Sequence, residues 1–589
     1  MIKKIDLKRL FGLLYGVTSM SPTLAARLLR HLALAGLLKF GQLGLSAQAL
    51  PPSAEPFRVE RALKPALRSD SVPRSKVPLI EEQLAPKDAA GATFVFKRLV
   101  IEGNSAVPTE SLASLWPHQS GDKVGVDEVF ALANVMTKFY AEHGYALCFA
   151  VVPRQEIRDG VVRIAIVEGF VSDHEYVSGR PSGLAGKAVD GQMAAIRLSL
   201  PLRSEVLERN LLLMDDLPGW SAAAVLNPDP KVIGGSALQV RFTRQPWTTD
   251  VSWSNFLPLG LGRDLVSATA NGTCLADDSD EFSVGLNASP DGTAYRSHTL
   301  TYGILAGNDG QRLGLNYSQS VSRPQDEVLL PLEYRGVSRS LRLTYSSPLR
   351  RDRTSTINLE CFAGVQQSAS TMSAGGAVDD SLPSVGVSLT FDHASADQAT
   401  NLVRIGLEQG LGAFGARGNS RANGTVDFTA ATLDIVRTAP LASLGGGLLS
   451  YSVAASGQAS LAGPMHSPSE SSYGGRQFGR FFDAGTMFGE HAAYGSCELR
   501  YGNSFAVGLS QPVNAQFYGF FDAGAVRQQG LLQPQEARSR YAASAGVGVR
   551  LGLPGGVSGL IELTRPVSMP AGFAGSASDR INGSFGVRF

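Results

Sequence analysis

Residues able to do covalent or metal chemistry are few and scattered in this sequence. Its eight histidines never pair at metal-site spacing, and the four cysteines, Cys148, Cys274, Cys361 and Cys497, come no closer than the 87 residues between Cys274 and Cys361. Without a CxxC there is neither a zinc knuckle nor a redox motif. GxxxxGKS/T, HExxH and GxSxG are also missing, so phosphate cradling, zincin hydrolysis and a nucleophile elbow have no residues to work with. Neither an enzyme nor a cofactor nor a bound metal is expected. An oxidising compartment would permit disulfides, and the spacing leaves open whether any pair meets. The charges that stand out sit among glycines and aromatics: Gly474-Gly475-Arg476-Gln477-Phe478-Gly479-Arg480-Phe481-Phe482-Asp483, then Glu490, Glu498 and Arg500, then Phe520-Phe521-Asp522-Ala523-Gly524. What these residues offer is charge, and its use depends on the elements that carry them.

Composition bounds those elements. A chain of 589 residues is too long for one ordinary globular domain. Its 53 basic and 52 acidic residues nearly balance, so nothing argues for a nucleic-acid partner. Charged residues make up 18%, below the roughly 25% usual in soluble domains, and Gly is in excess. Mean hydropathy is +0.01, with no uninterrupted 18-residue apolar run past position 50, which excludes a polytopic helical bundle.

After Trp247 the sequence alternates in short segments: Phe282/Val284/Leu286, Leu313/Leu315/Tyr317, Leu341/Leu343/Tyr345, Ile357/Leu359/Cys361, Val385/Val387/Leu389/Phe391 and Ala545/Val547/Val549/Leu551. Polar residues and Gly take the other face, which is strand periodicity. A soluble sandwich shows the same alternation but rarely sustains it over about 340 residues. In lipid, only a closed barrel pairs every strand backbone internally. At about 20 residues per strand and connection, residues 248–589 supply on the order of 16 transmembrane strands.

The preceding chain reads differently. Lys3, Lys4, Lys8, Arg9, Arg27 and Arg30, a mostly apolar stretch from His31 to Leu45 and Ala47-Gln48-Ala49 predict a signal peptide over residues 1–49. Residues 50–91, rich in Pro and charge, read as a linker with a short helix around Glu60–Leu67. From Thr93 the order is β-α-α-β-β. A strand runs Phe96–Ile101, and a helix opens at Pro108. A second helix, Val126–His143, carries Val129, Leu132, Ala133, Met136 and Tyr140 on one face and ends at Gly144-Tyr145. Strands at Phe149–Pro153 and Val161–Val167 meet across Asp159-Gly160. All twelve lysines lie at or before Lys231, which marks a boundary and has no physical account.

Here the sequence resembles a known family. Gly144-Tyr145, Pro153-x-Gln155, Asp159-Gly160 and Glu168-Gly169 fall where the first POTRA (polypeptide-transport-associated) domain of two-partner secretion transporters, the FhaC/ShlB-like TpsB type, places them. Leu202–Trp220 and Leu238–Phe242 are similar to that family's second POTRA. The resemblance implies two periplasmic POTRA domains, 92–174 and 175–247, ahead of the barrel. It also implies client capture at an open sheet edge, which we place at Val161, Arg163, Ala165 and Val167. In the family a long extracellular loop bearing VRGY or VRGF folds into the lumen, and an F-x-D-x-G strand presents its Asp inward. The resemblance therefore implies a pairing of Arg480 with Asp522, with Gly479, Phe482, Phe520 and Gly524 in support and Arg476 as a lesser substitute. Phe481 departs from the pattern, standing where the family has Gly, so the loop tip is expected to pack differently. Glu490, Glu498 and Arg500 resemble the motif's continuation and read equally well as ordinary lumen charges.

The implied function is export of a cognate secreted exoprotein (a TpsA-type adhesin, haemolysin, haem-binding protein or toxin) across the bacterial outer membrane without a nucleotide. Implied partners are that client, outer-membrane lipid and lipopolysaccharide, and the barrel-assembly machinery, which the terminal Phe589 would address. The rival readings are a BamA-like assembly factor, which usually carries more POTRA units, a passive porin or receptor, and a soluble lectin-like β-protein.

Overall fold

The computed structural model describes residues 54–64, 67, 69, 83, 84, 86 and 91–589, apart from 246, 326, 328–329, 374–376, 507, 509–511, 531, 533–536 and 574–577. The expected signal peptide, 1–49, lies outside the described residues.

Sixteen antiparallel strands close into a barrel. They run from β9 (Thr248–Ser254) to β26 (Arg580–Arg588), each pairing with its neighbour in sequence until β26 returns to β9. The alternation read from the sequence is the alternation of solvents: Leu341, Leu343, Tyr345, Val385, Val387, Leu389 and Phe391 point outward and are exposed, while Ser318, Ser320, Ser338 and Ser384 are buried on the lumen side. A lipid-facing strand requires this arrangement. The one break in the nearest-neighbour order is the connection from β19 (Gly447–Ala462) to β22 (His491–Phe505). It carries its own small hairpin, β20 (Ser471–Tyr473) paired with β21 (Met487–Gly489), and packs Tyr473, Phe481, Phe482 and Met487 into a cluster with Tyr494, Val526 and Ala542 of the barrel wall.

The linker reading needs correction. Residues Pro56–Leu63 form a helix, α1, a few residues earlier than expected, and it sits inside the barrel against β13 (Arg312–Ser322) and β14 (Arg335–Arg351). Proline at its start is pre-organised for the first turn. Val59 joins Leu257, Leu261, Leu265 and Tyr295 in a buried cluster, and Arg58 is fully buried between Glu55 and Glu470, its Nη2 3.0 Å from Glu470 Oε2. A Pro-rich, charged segment looks like linker because the barrel residues that bury it, from Leu257 to Glu470, lie far along the chain.

Two βααββ units precede the barrel. The first contains β1 (Thr93–Val95), β2 (Arg98–Glu102), α2 (Thr109–Ala113), β3 (Lys123–Gly125), α3 (Val126–Glu142), β4 (Phe149–Val151) and β5 (Val161–Val167). All five apolar positions read on α3 are buried, against Leu112, Val124, Val162 and Ile164. The second contains β6 (Phe170–Ser178), α4 (Gly183–Leu198), α5 (Ser204–Asp215), β7 (Trp220–Pro228) and β8 (Gly235–Arg244), with strand order β6-β8-β7. Because β6 pairs with β8 from Phe170 onward, the boundary between the units falls near 169 rather than 174. Helix α4, with Gly183, Gly186 and Gly191 in its sequence, went unread.

The second unit is fixed to one rim of the barrel. Arg351 holds Asp216 through two parallel bonds of 2.7 and 2.8 Å. The Ser182 amide and hydroxyl bind Asp278 at 2.8 and 2.7 Å, Gln192 Nε2 donates to the Asn308 carbonyl, and the Trp220 indole donates to the carbonyl of Asp278. The joint between the two units is hydrogen-bonded as well: the Ser204 amide donates to Gly144 O (2.7 Å), and the Leu202 amide to Gly169 O (2.8 Å).

Candidate functional site

β23 (Val513–Arg527) explains the F-x-D-x-G spacing. Phe520, Asp522 and Gly524 alternate onto the lumen face, while Phe517 and Phe521 point outward and are exposed. Asp522 is completely buried, and Arg480 is only 5% exposed. Their contact is the two-pronged kind: Nε reaches Oδ2 at 2.9 Å and Nη2 reaches Oδ1 at 2.8 Å, a planar fork on a carboxylate. The amides of Gly479 and Arg480 also donate to Asp522 Oδ2, at 3.2 and 3.1 Å. The guanidinium lies over the Phe520 ring, 3.5 Å from its centroid.

Gly524 leaves the space that the loop hairpin fills, since a Cβ there would lie 2.5 Å from the Tyr473 ring. Gly479 supplies the left-handed turn, with φ +75°, and a Cβ there would strike the same ring. Phe481, where the family has Gly, is not asked for a left-handed backbone here. The positive φ is needed one residue before the arginine, and Phe481 keeps an ordinary backbone and stacks edge-on with Phe482 at 5.1 Å.

Around the fork the wall is charged on both signs. Arg480 Nη1 bonds Glu498 at 2.5 Å and approaches Glu562 at 3.5 Å, and Nη2 donates to Ser496 Oγ at 3.0 Å. Glu498 accepts also from Arg500 and Arg550. Tyr518 donates to Glu562 at 2.6 Å, and Asn582 Nδ2 to the carbonyl of Arg480. Glu562, Arg550, Tyr518 and Asn582 went unread, although their signal was present: each is a polar residue in the lumen phase of a strand whose other phase is apolar. Nearer the outer end, Glu470 takes Arg58 of α1 and Arg421 together, and Glu490 lies 3.6 Å from Arg421. Arg476 stands over Phe256 rather than beside Asp522.

The proposed capture strand is misplaced. Val161, Arg163, Ala165 and Val167 lie on β5, which is the middle strand of a β2-β5-β4 sheet. β2 pairs along one side (Arg98↔Val161 to Glu102↔Ala165) and β4 along the other (Phe149↔Val167). Chain order made β5 look terminal, but the crossover through α2 and α3 brings it in beside β2. The outer strands of this sheet are β2 and β4, and the edge of β4 is already occupied: Gln83 Nε2 donates to Ala150 O at 2.7 Å, and the Ala150 amide donates to Thr137 Oγ1 at 3.0 Å.

The cysteines are unpaired in the structure: Cys148 is buried in the first unit, and Cys361 and Cys497 face outward from the barrel. No cluster of potential metal ligands occurs among the described residues.

A family model described as haemolysin secretion/activation protein ShlB/FhaC/HecB matches residues 234–551, more than half of the chain. The chain belongs to that family. A second model, the ShlB-type POTRA domain, matches residues 94–169, the first βααββ unit. HuxB, a heme/hemopexin transporter protein of Haemophilus influenzae, is 29% identical over 145 residues, 24% of this chain and 25% of HuxB, so the match spans about a quarter of that relative. Among solved structures, CdiB from Escherichia coli shares the fold with a TM-score of 0.69 at 17% identity, over 88% of this chain and 94% of its own. CdiB from Acinetobacter baumannii does so at 0.58 and 15% identity, over the whole of both chains. The family member described here is an outer-membrane barrel with its POTRA domains in the periplasm. The rim that receives the second POTRA is therefore the periplasmic one, and the β19–β22 connection enters the lumen from outside.

Proposed function

We propose that this protein is a two-partner secretion transporter. Its POTRA units take up the extended N-terminal part of a cognate exoprotein in the periplasm, and the barrel passes the chain to the cell surface. No catalytic step, nucleotide or cofactor is involved. The observation that carries the reading is the inward-folded loop, residues 463–490, held by Arg480 on Asp522 in a barrel whose periplasmic mouth carries two docked POTRA units. A passive porin needs neither part.

Client capture falls to the open edge of β2, where main-chain hydrogen bonds bind an extended peptide with little regard to sequence. Lipid and lipopolysaccharide surround the exposed apolar band. The C-terminal Phe589, whose amide and carbonyl pair with Thr249, is the segment offered to the barrel-assembly machinery.

The test is export of any large secreted protein found encoded beside this chain, in a host that has an outer membrane. Arg480→Ala is expected to abolish or strongly lower its secretion while the barrel still inserts. Wild-type secretion by that variant removes the proposed role, and failure of the intact protein to export any such neighbour removes the function.

A further inference from the structure

The barrel's closing joint is its shortest. β26 pairs with β25 (Val557–Ser568) over eight positions, Arg580 to Val587, but with β9 over five, Ser584 to Arg588. Residues 580–583 of β26 thus have a strand on one side and none on the other. Asn255 fills part of that gap, exchanging hydrogen bonds with Gly583 and donating to the carbonyl of Ile581.

The loop tip fills the rest. Arg480 O accepts from Asn582 and Phe481 O from Arg580 Nη1 (3.1 Å). Three residues past Arg480, Asp483 binds both sides of the joint through one carboxylate. Its Oδ1 takes Arg580 of β26 at 2.7 Å and Arg263, from the loop after β9, at 2.6 Å, while Oδ2 accepts the Leu259 amide at 2.9 Å.

We propose that Asp483 is the clasp of the barrel, a positioning residue that holds the first and last strands together at the outer end, so that loop position and barrel closure form one coupled element. The chemistry supports a sharp response. With the carboxylate in place, two guanidiniums on opposite sides of the joint share one anion. Withdrawing the loop removes the anion and leaves Arg263 and Arg580 as like charges facing each other across the joint. Loop movement then loosens the seam twice, by losing a tie and by exposing a repulsion. The clasp lies within the barrel alone and acts whether or not a client is present.

The experiment is hydrogen exchange on the full-length protein in lipid nanodiscs. Asp483→Asn is expected to speed exchange of the Ser584–Arg588 amides about tenfold, a local opening rather than global unfolding. The amides of β22 and β23 around Asp522 should keep their wild-type rates. Adding Arg263→Gln to Asp483→Asn removes the repulsion and should restore part of the protection, which a merely misfolded seam would not show. Unchanged exchange at Ser584–Arg588 in Asp483→Asn overturns the proposal. If that variant does not insert, wild-type protein serves. High salt, with a Debye length of about 3 Å at 1 M, should speed exchange at the seam selectively, and equal rates in low and high salt overturn the proposal.

Discussion

Arg480 illustrates why one guanidinium can govern a loop of nearly thirty residues. It is buried, forked onto Asp522 and stacked on Phe520, so removing it leaves a buried carboxylate without its cation, a loss of about 3–5 kcal/mol. A lysine would keep the charge but lose the fork and the stacking. At the same scale, Glu168 organises the first POTRA. Burial opposes its ionisation, but donors from Ser105 Oγ, the Ala106 and Ser105 amides and the Tyr140 hydroxyl outweigh that and hold the carboxyl below its usual range. A depressed carboxylate stabilises the fold above its unfolded pKa, and that contribution disappears as pH falls through the folded value. Glu168→Gln should therefore weaken the first unit by about 1 kcal/mol at neutral pH, the partial exposure keeping the loss small. The gap from wild type should close under acid conditions, read as hydrogen exchange of α3 and β2 in the intact protein. Glu168 was legible as part of a family motif. Its four donors were not, because Tyr140 reads in sequence only as one more apolar position on α3.

Elements fared unevenly for a physical reason. The barrel strands were legible because lipid outside and water inside impose a period of two on every strand, irrespective of partner. Helix α3 was legible because one face packs a core. Helix α1 was legible as a short helix, but its place inside the barrel was not, because the groups that bury it, Glu470 for Arg58 and Leu257, Leu261 and Tyr295 for Val59, lie far along the chain. The capture strand was misplaced for a related reason, because strand order within a sheet follows the handedness of the crossover and not sequence order. Helix α1 and the loop both pack inside the barrel, and the obstruction they are expected to cause can be tested separately from Arg480. Removing residues 54–64 should raise single-channel conductance in planar bilayers and make the pore more permeable to antibiotics in cells, with the barrel still heat-modifiable on gels. Conductance equal to wild type would show that the helix does not obstruct the pore.

At the scale of the whole molecule, the expected succession of two POTRA units and a 16-stranded barrel is the one observed, with the boundary between the units near 169. What the sequence could not convey is how the parts are joined, because the contacts come from segments far apart: Arg351 with Asp216, Ser182 with Asp278 and Gln192 with Asn308 at the rim, and the Ser204 and Leu202 amides with the carbonyls of Gly144 and Gly169 between the units. Deleting residues 93–169, the first unit up to the start of β6, should leave an inserted, conducting barrel that no longer exports. Retained client binding by this truncated protein, measured by co-purification, would place capture elsewhere.

Both of those joints are closed. The second unit is bolted to the rim through Arg351 and Ser182, and the first to the second through Ser204 and Leu202. The periplasmic arm is therefore a strut of set length and not a tether. An extended polypeptide laid along β2 would be held at a constant reach from the pore entrance, like a thread presented by a needle guide, and the number of residues a substrate needs between its binding segment and its first exported residue would be fixed by that geometry.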